Sequence, residues 1–356
     1  MKICKFYKTW FFWFFMPIII GIILPALNVW RVDVSLQWKH PFHPDGWYFG
    51  YNERRQKTNY LAEHATQKID TIFLGTSRTT YINPEITGSK NGFNYAVSSG
   101  NYKDYEKYLK FAQDCSSESI DNIWLELSYF QVLDTQNKEL DNPDDCIYAA
   151  QNFSDKFNTM FSHDAIKISN NAVIPIDSND ERISSSYLMR DNAIMSYKIR
   201  NKQYLTNSEK IKEVARQIKI YEDLGFYLRP YDAQCSSRLK SLANFCEGKK
   251  VFVYMPPVGK EYMAQEERYG QLANHERFVR EAVEVFGEVW DFAYPNEITM
   301  NDANFQDAHH ATIETLNSMV HIILNREKED MNRYMVNREN LENHILMIHD
   351  KYREIL

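Results

Sequence analysis

Five short apolar runs punctuate the chain: 70–75, 93–97, 120–127, 250–255 and 288–292. The first reads Asp70-Thr71-Ile72-Phe73-Leu74-Gly75, and the fourth, Lys250 to Met255, is stopped by Pro256-Pro257. Runs of this length, rich in β-branched and aromatic residues, predict strands buried on both faces. Between them lie stretches with helical spacing. Tyr105, Tyr108, Leu109 and Ala112 share one face of a helix over 102–113, and Leu272, Phe278, Ala282 and Val285 do so over 266–286. Further helices are predicted over 54–67, 208–224, 233–245 and 311–325. Strands alternating with helices make βαβ units, so the fold class is α/β with about five parallel strands.

The alternation breaks in two places. From 128 to 208 the chain is rich in Asn, Asp and Ser, which predicts an insertion with a polar loop over 134–145 and some helix near 187–197. Insertions of this length commonly serve as lids or partner surfaces. From 326 to 356 the chain is strongly charged, with a narrow stripe of Met331, Met335, Leu341, Ile345, Ile348 and Ile355. That stripe predicts a helix lying on the domain or against a partner.

The amino-terminal end has its own pattern. Lys2, Lys5 and Lys8 precede an uncharged run from Trp10 to Trp30. At ~1.5 Å per residue the run can cross a hydrocarbon core of ~30 Å. The leading lysines put the amino end in the cytoplasm and everything after Arg31 outside it. Pro25-Ala26-Leu27-Asn28 is a poor cleavage site, which favours an uncleaved anchor over a signal peptide. The expected organisation is a cytoplasmic tip and anchor at 1–30, a lead-in at 31–67, an α/β domain at 68–325 and a charged helix at 326–356.

Composition narrows the function. A net charge of −7 leaves no basic excess for a nucleic-acid backbone. The 14% aromatic content reads as core packing before sugar stacking. Beyond the anchor the cysteines are Cys115, Cys146, Cys235 and Cys246. In an oxidising compartment four cysteines allow three pairings, of which sequence proximity favours Cys115 with Cys146 and Cys235 with Cys246. His40 and His43 read as loop histidines, and no Cys/His spacing suggests zinc; the one cluster of ligand types, Asp302, Asp307, His309 and His310, gives only a weak case for a metal-dependent hydrolase, and no cofactor is expected.

The chemistry lies at two distant points. Gly75-Thr76-Ser77-Arg78 follows the first strand, and Phe305-Gln306-Asp307-Ala308-His309-His310 follows the fifth. A serine hydroxyl becomes a nucleophile when a base takes its proton and an acceptor orients that base. Ser77, His310 and Asp307 can fill those roles. The backbone N–H of Ser77, with Ser99 or Gly100 after the second strand, is the candidate oxyanion donor set. Arg78 is a candidate ligand for an anionic substrate group. His309, beside the candidate base, is expected to be exposed or to line the pocket. Glu126, inside the third strand, shows no partner in the sequence.

These blocks resemble the SGNH (GDSL-type) hydrolases: Gly75-Thr76-Ser77-Arg78, then Phe93-Asn94-Tyr95-Ala96-Val97-Ser98-Ser99-Gly100, then Asp307-x-x-His310. Within that superfamily they are most similar to the membrane-anchored extracytoplasmic branch linked to polysaccharide O-acylation. The resemblance spans 68–325 as short motifs. It implies a three-layer α/β/α sandwich, SGNH/flavodoxin-like, with Ser77 as nucleophile, His310 as base, Asp307 as its partner and Ser99 or Gly100 as oxyanion donor. It further implies O-acyl transfer or ester hydrolysis on a cell-surface glycan, beside a membrane-bound O-acyltransferase supplying acyl groups. The family's third block carries an Asn where this chain reads Leu127-Ser128-Tyr129-Phe130-Gln131, which leaves Gln131 or a group from the insertion to offer the amide. The same departure suits a non-catalytic glycan-binding or assembly subunit.

Overall fold

A computed structural model of the chain describes residues 2–38, 52–63, 67–133, 142–171 and 205–354. His40, His43, most of the polar loop expected at 134–145 and the helix expected near 187–197 lie outside the described residues. The rest falls into two compact units.

The first unit is helical. It joins helix Lys2–Val32 and helix Glu53–Glu63 to Pro143–Gln151, Phe153–Thr159 and His163–Asn171, so this part of the expected insertion belongs with the anchor and the lead-in. Trp13–Val32 spans 20 residues at mean hydropathy 1.9, long and apolar enough to cross a membrane. Ile18, Ile22 and Leu24 are exposed along it. The end of the same helix is covered: Val29 and Val32, with Val34 beyond them, pack against Ala165. The helix stops at Asp33, whose carboxylate accepts the N–H groups of Gln37 and Trp38 at 2.9 and 3.0 Å.

The second unit is built on a six-stranded sheet. β1 (Thr71–Leu74), β2 (Gly92–Asn94), β3 (Asn122–Glu126), β4 (Lys250–Met255) and β5 (Glu288–Asp291) are parallel. β6 (Met335–Asn337) runs antiparallel to β5, and the order is β2-β1-β3-β4-β5-β6. Phe73, Trp124 and Phe252 are register partners across β1, β3 and β4. Their rings stack, with centroids 5.0 and 4.3 Å apart, and each such cross-strand pair stabilises the sheet by about 0.2–1 kcal/mol. The strand order changes direction at β1 and β3, and open α/β sheets bind ligands beyond the carboxyl ends of strands at such a switch point.

Three expectations are corrected. The helix expected over 266–286 is two helices, Lys260–Arg268 and Leu272–Phe286, separated at Gly270, whose φ of +68° stops the first. The tail is not one helix. Lys328–Tyr334 leads into β6, and Leu341–Arg353 follows after Asn340 caps the turn through Asn337 N–H at 2.8 Å. The cysteine pairing also fails, because Cys115, Cys146, Cys235 and Cys246 are all free thiols. Cys235 opens helix Cys235–Phe245 and Cys246 directly follows it. At ~1.5 Å per residue the two lie roughly 16 Å apart, beyond the ~7 Å a disulfide tolerates. Burial pushes the Cys115 thiol up to about 11 and those of Cys235 and Cys246 up to about 12, which keeps them protonated and inert.

Buried ionisable groups tie the carboxy-terminal helix to the sheet. Asp291, at the end of β5, meets His344 Nε2 at 2.9 Å and lies 3.6 Å from His275 Nε2. Burial alone would raise its carboxyl, but the two histidines hold it well below the usual range. Glu266 accepts the Tyr352 hydroxyl at 2.9 Å, and burial pushes it from 4.5 up to about 7. Between those values the folded chain keeps a proton that the unfolded chain releases, so stability falls as pH rises through that window. Glu266→Gln is expected to remove about 3 kcal/mol of that fall, read as a flatter dependence of the urea midpoint on pH from roughly 4.5 to 7. Identical slopes for the two proteins would refute this account of Glu266.

Candidate active site

β1 delivers Gly75-Thr76-Ser77-Arg78 to the carboxyl edge of the sheet, and the last residue of the neighbouring β3, Glu126, shapes that turn. Glu126 is fully buried. Its carboxylate accepts the Thr76 N–H at 2.6 Å, the Thr76 hydroxyl at 2.6 Å and the Thr79 hydroxyl at 2.7 Å. The Ser128 hydroxyl donates at 3.3 Å, and Arg78 Nη1 lies 3.7 Å away. Thr79 passes the network to the Tyr254 hydroxyl at 2.6 Å. Gly75 is required by this closeness, since a Cβ there would sit 2.6 Å from both Glu126 and Thr79. A carboxylate with this many donors fixes the backbone on either side of Ser77.

The second segment closes on itself. Gln306 N–H donates to the His310 carbonyl at 2.8 Å, and Asp307 Oδ1 accepts the N–H groups of His309 and His310 at 3.0 and 2.9 Å. The loop after β4 pins it, with Gly259 N–H donating to the Ala308 carbonyl at 2.9 Å. Asp307 Oδ2 is thereby left facing the His310 ring, 2.7 Å from Nδ1, while His310 Nε2 lies 2.8 Å from Ser77 Oγ. Burial would raise the Asp307 carboxyl, but the charges of His310 and His309 and the bonds to His310 and Gln217 hold it well below the usual range. Asp307 stays ionised and fixes the tautomer that presents Nε2 to the serine.

A cleft of about 220 Å³ opens beside Ser77. Tyr221, Phe226, Tyr262 and Phe130 line it, together with His309, which is buried and 3.2 Å from the Tyr221 hydroxyl through Nε2. Ser99 is exposed, at a left-handed φ of +54°. Among the described residues no acceptor engages the N–H of Ser77 or of Ser99. The Gly100 N–H is committed to the Val97 carbonyl at 2.8 Å, and Gly100 has a steric role instead: a Cβ there would lie 2.3 Å from the Gly75 carbonyl oxygen.

Gln131 is corrected as an amide donor. Its Nε2 donates to the Gly100 carbonyl at 3.2 Å and to the Tyr105 hydroxyl at 2.8 Å, while its Oε1 accepts the Ser128 N–H at 2.9 Å. It braces the loops and has no hydrogen left for a ligand. Gln131 and Asn101 both line the cleft, and of the two it is Asn101, which the sequence reading missed, that keeps an amide hydrogen to offer. One of its hydrogens goes to the Gln131 carbonyl at 3.3 Å, and the other is uncommitted. Glu126 was also passed over, because a lone acid in a strand says nothing about the neighbouring turn. Asp307, His309 and His310 bring three ligand-type atoms within 4.8 Å of one another, but both His310 nitrogens face Asp307 and Ser77. The chain matches no protein-family model, no curated protein and no solved structure.

Proposed function

We propose that this chain is a membrane-anchored serine esterase or O-acyltransferase that works through an acyl-serine. One observation carries the reading: Ser77 Oγ, His310 and Asp307 form a continuous chain at 2.8 and 2.7 Å at the edge of a cleft. In the proposed reaction His310 Nε2 takes the hydroxyl proton as Ser77 Oγ attacks an ester carbonyl, and Asp307 stabilises the imidazolium. The oxyanion is met by the Ser77 and Ser99 N–H groups and by the Asn101 amide. His310 returns the proton to the departing alcohol. Water then releases the acyl group as an acid, or a sugar hydroxyl accepts it as a new ester.

The setting follows the resemblance to SGNH enzymes of the extracytoplasmic, polysaccharide-modifying branch, with their three-layer sandwich. Its substrate is a cell-envelope glycan and its partner a membrane protein that supplies acyl groups. Lys2, Lys5 and Lys8 ahead of the apolar helix support a cytoplasmic amino end and an extracytoplasmic catalytic unit. Burial of Val29 and Val32 against Ala165 supports retention of the anchor, since cleavage after it would strip part of that unit's core.

A second reading, a non-catalytic glycan-binding subunit, draws on the committed Gln131 amide and the missing third-block Asn. A fluorophosphonate probe separates the two. Labelling of the detergent-solubilised chain that disappears in Ser77→Ala supports the enzyme. A folded chain that takes no label and releases no acyl group from activated esters supports the binding subunit.

A further inference from the structure

The cleft beside Ser77 reverses the charge of the chain. The protein carries −7 overall, yet the cleft is lined by Arg78 and Arg229 and by no Asp or Glu. Six arginines elsewhere, Arg216, Arg238, Arg277, Arg280, Arg326 and Arg333, each hold a carboxylate, whereas Arg31, Arg268 and Arg338 donate to amide or backbone oxygens. Among the described residues Arg229 holds none. Its guanidinium lies 5.2 Å above the Phe226 ring, half-buried at the cleft wall. Arg78 is 5% exposed and is held flat, 3.6 Å from the Phe130 ring centroid. Its Nη1 faces Ser128 and Glu126, and its Nε is buried without a partner. Glu126 already serves four donors on the nucleophile turn, which leaves this guanidinium only partly neutralised.

We infer that the cleft binds an anionic group, a carboxylate or a phosphate, on the same small unit that carries the ester. This rests on the serine-ester reading above. Guanidinium forks suit both anions, and a stacked, pre-positioned fork loses little freedom on binding. A cleft of about 220 Å³ is smaller than the ~300–1,000 Å³ usual for drug-sized ligands, so the anion and the ester sit on one sugar or one short acyl unit. Neutral acyl esters of neutral sugars leave Arg229 without a counter-charge and Arg78 only partly neutralised.

The full chain is tested with two pairs of chromogenic esters. The acyl-side pair is 4-nitrophenyl hemiglutarate against 4-nitrophenyl butyrate. The alcohol-side pair is 4-carboxyphenyl acetate against 4-carbamoylphenyl acetate. In one pair the anionic ester is expected to have a kcat/KM higher by roughly 10-fold or more, the size of one charge-assisted hydrogen bond. That ratio falls towards unity in Arg229→Ala and returns in part in Arg229→Lys, and the responding pair tells which side of the ester carries the anion. Ratios near unity in both pairs, with turnover present, overturn the inference. If no ester is turned over the enzymatic reading fails, and the anion site is judged on Ser77→Ala protein titrated with glutarate and with inorganic phosphate. Saturable binding weakened by salt and by Arg229→Ala upholds it; no saturable binding up to roughly 50 mM, or binding indifferent to Arg229, overturns it.

Discussion

Replacing Ser77 by Ala is expected to lower ester turnover by roughly 10⁶-fold, and His310→Ala to do nearly the same, because the two act as one unit. The double variant should be little worse than either single one, which distinguishes a shared proton-transfer step from two independent binding contacts. Asp307→Asn is expected to cost about 10⁴-fold: an asparagine keeps the size of the group but favours the tautomer that turns a hydrogen of Nε2 toward the serine. Stability separates Ser77→Ala from Asp307→Asn. Ser77 is half-buried and its hydroxyl has one partner in His310, so Ser77→Ala leaves the urea midpoint nearly unchanged. Asp307 accepts two backbone N–H groups as well as the His310 ring, and its carboxyl is held below the usual range. A depressed folded-state value contributes stability that is present above the unfolded value of ~3.9 and is lost as pH falls below it. Asp307→Asn should therefore lose stability at neutral pH and lose less than the native chain on acidification. Measured kcat/KM within tenfold of the native value for Ser77→Ala would remove the acyl-serine mechanism.

How much of this was legible follows from the range of the interactions. β1 to β5 were readable because each is a short apolar run that must be buried on both faces, and burial is a local signature. The Ser77, Asp307 and His310 grouping was readable because Ser77 closely follows β1 while Asp307 and His310 lie in the connection that leaves the carboxyl end of β5, and parallel strands bring such connections to one edge. Contacts between strands were not readable. Glu126 sits in β3 with only Ser128 nearby in sequence to donate to it; the Thr76 and Thr79 donors come from 50 and 47 residues away, on the turn after β1. Gln131 was assigned by position in a motif, and the structure commits its amide to Gly100 and Tyr105, which no linear spacing discloses. The tail misled because Met331 and Met335 continue a helical stripe, while Met335 in fact begins an edge strand on β5. The Cys235–Cys246 pairing failed for a related reason: proximity in sequence along a helix is distance in space.

Glu126 is where the site's geometry and its stability meet, and Glu126→Gln is expected to damage both. Thr76 N–H can only donate, so the glutamine oxygen must take the place of Oε2, and its NH₂ then replaces Oε1. The Thr76 and Ser128 hydroxyls can turn to accept from that NH₂, but Arg78 cannot. Its guanidinium, 3.7 Å from Oε1, is left buried against a donor and without its counter-charge. Breaking one side of a buried pair costs about 3–5 kcal/mol, and relaxation of the two hydroxyls places the expected loss near the lower figure. Turnover should fall by roughly 10- to 100-fold, since the turn that presents the Ser77 N–H loosens while the triad residues remain. Adding Arg78→Met to Glu126→Gln should recover much of the stability, because the unpaired charge is gone, and little of the turnover, because the turn still lacks its anion. A double-mutant cycle read by urea unfolding and by kcat/KM measures both couplings on the same proteins. If Glu126→Gln keeps native stability and turnover within twofold, the carboxylate is a passive buried acid and the nucleophile turn is held by its own backbone; if turnover returns with Arg78→Met, the anion mattered only as a counter-charge to the arginine.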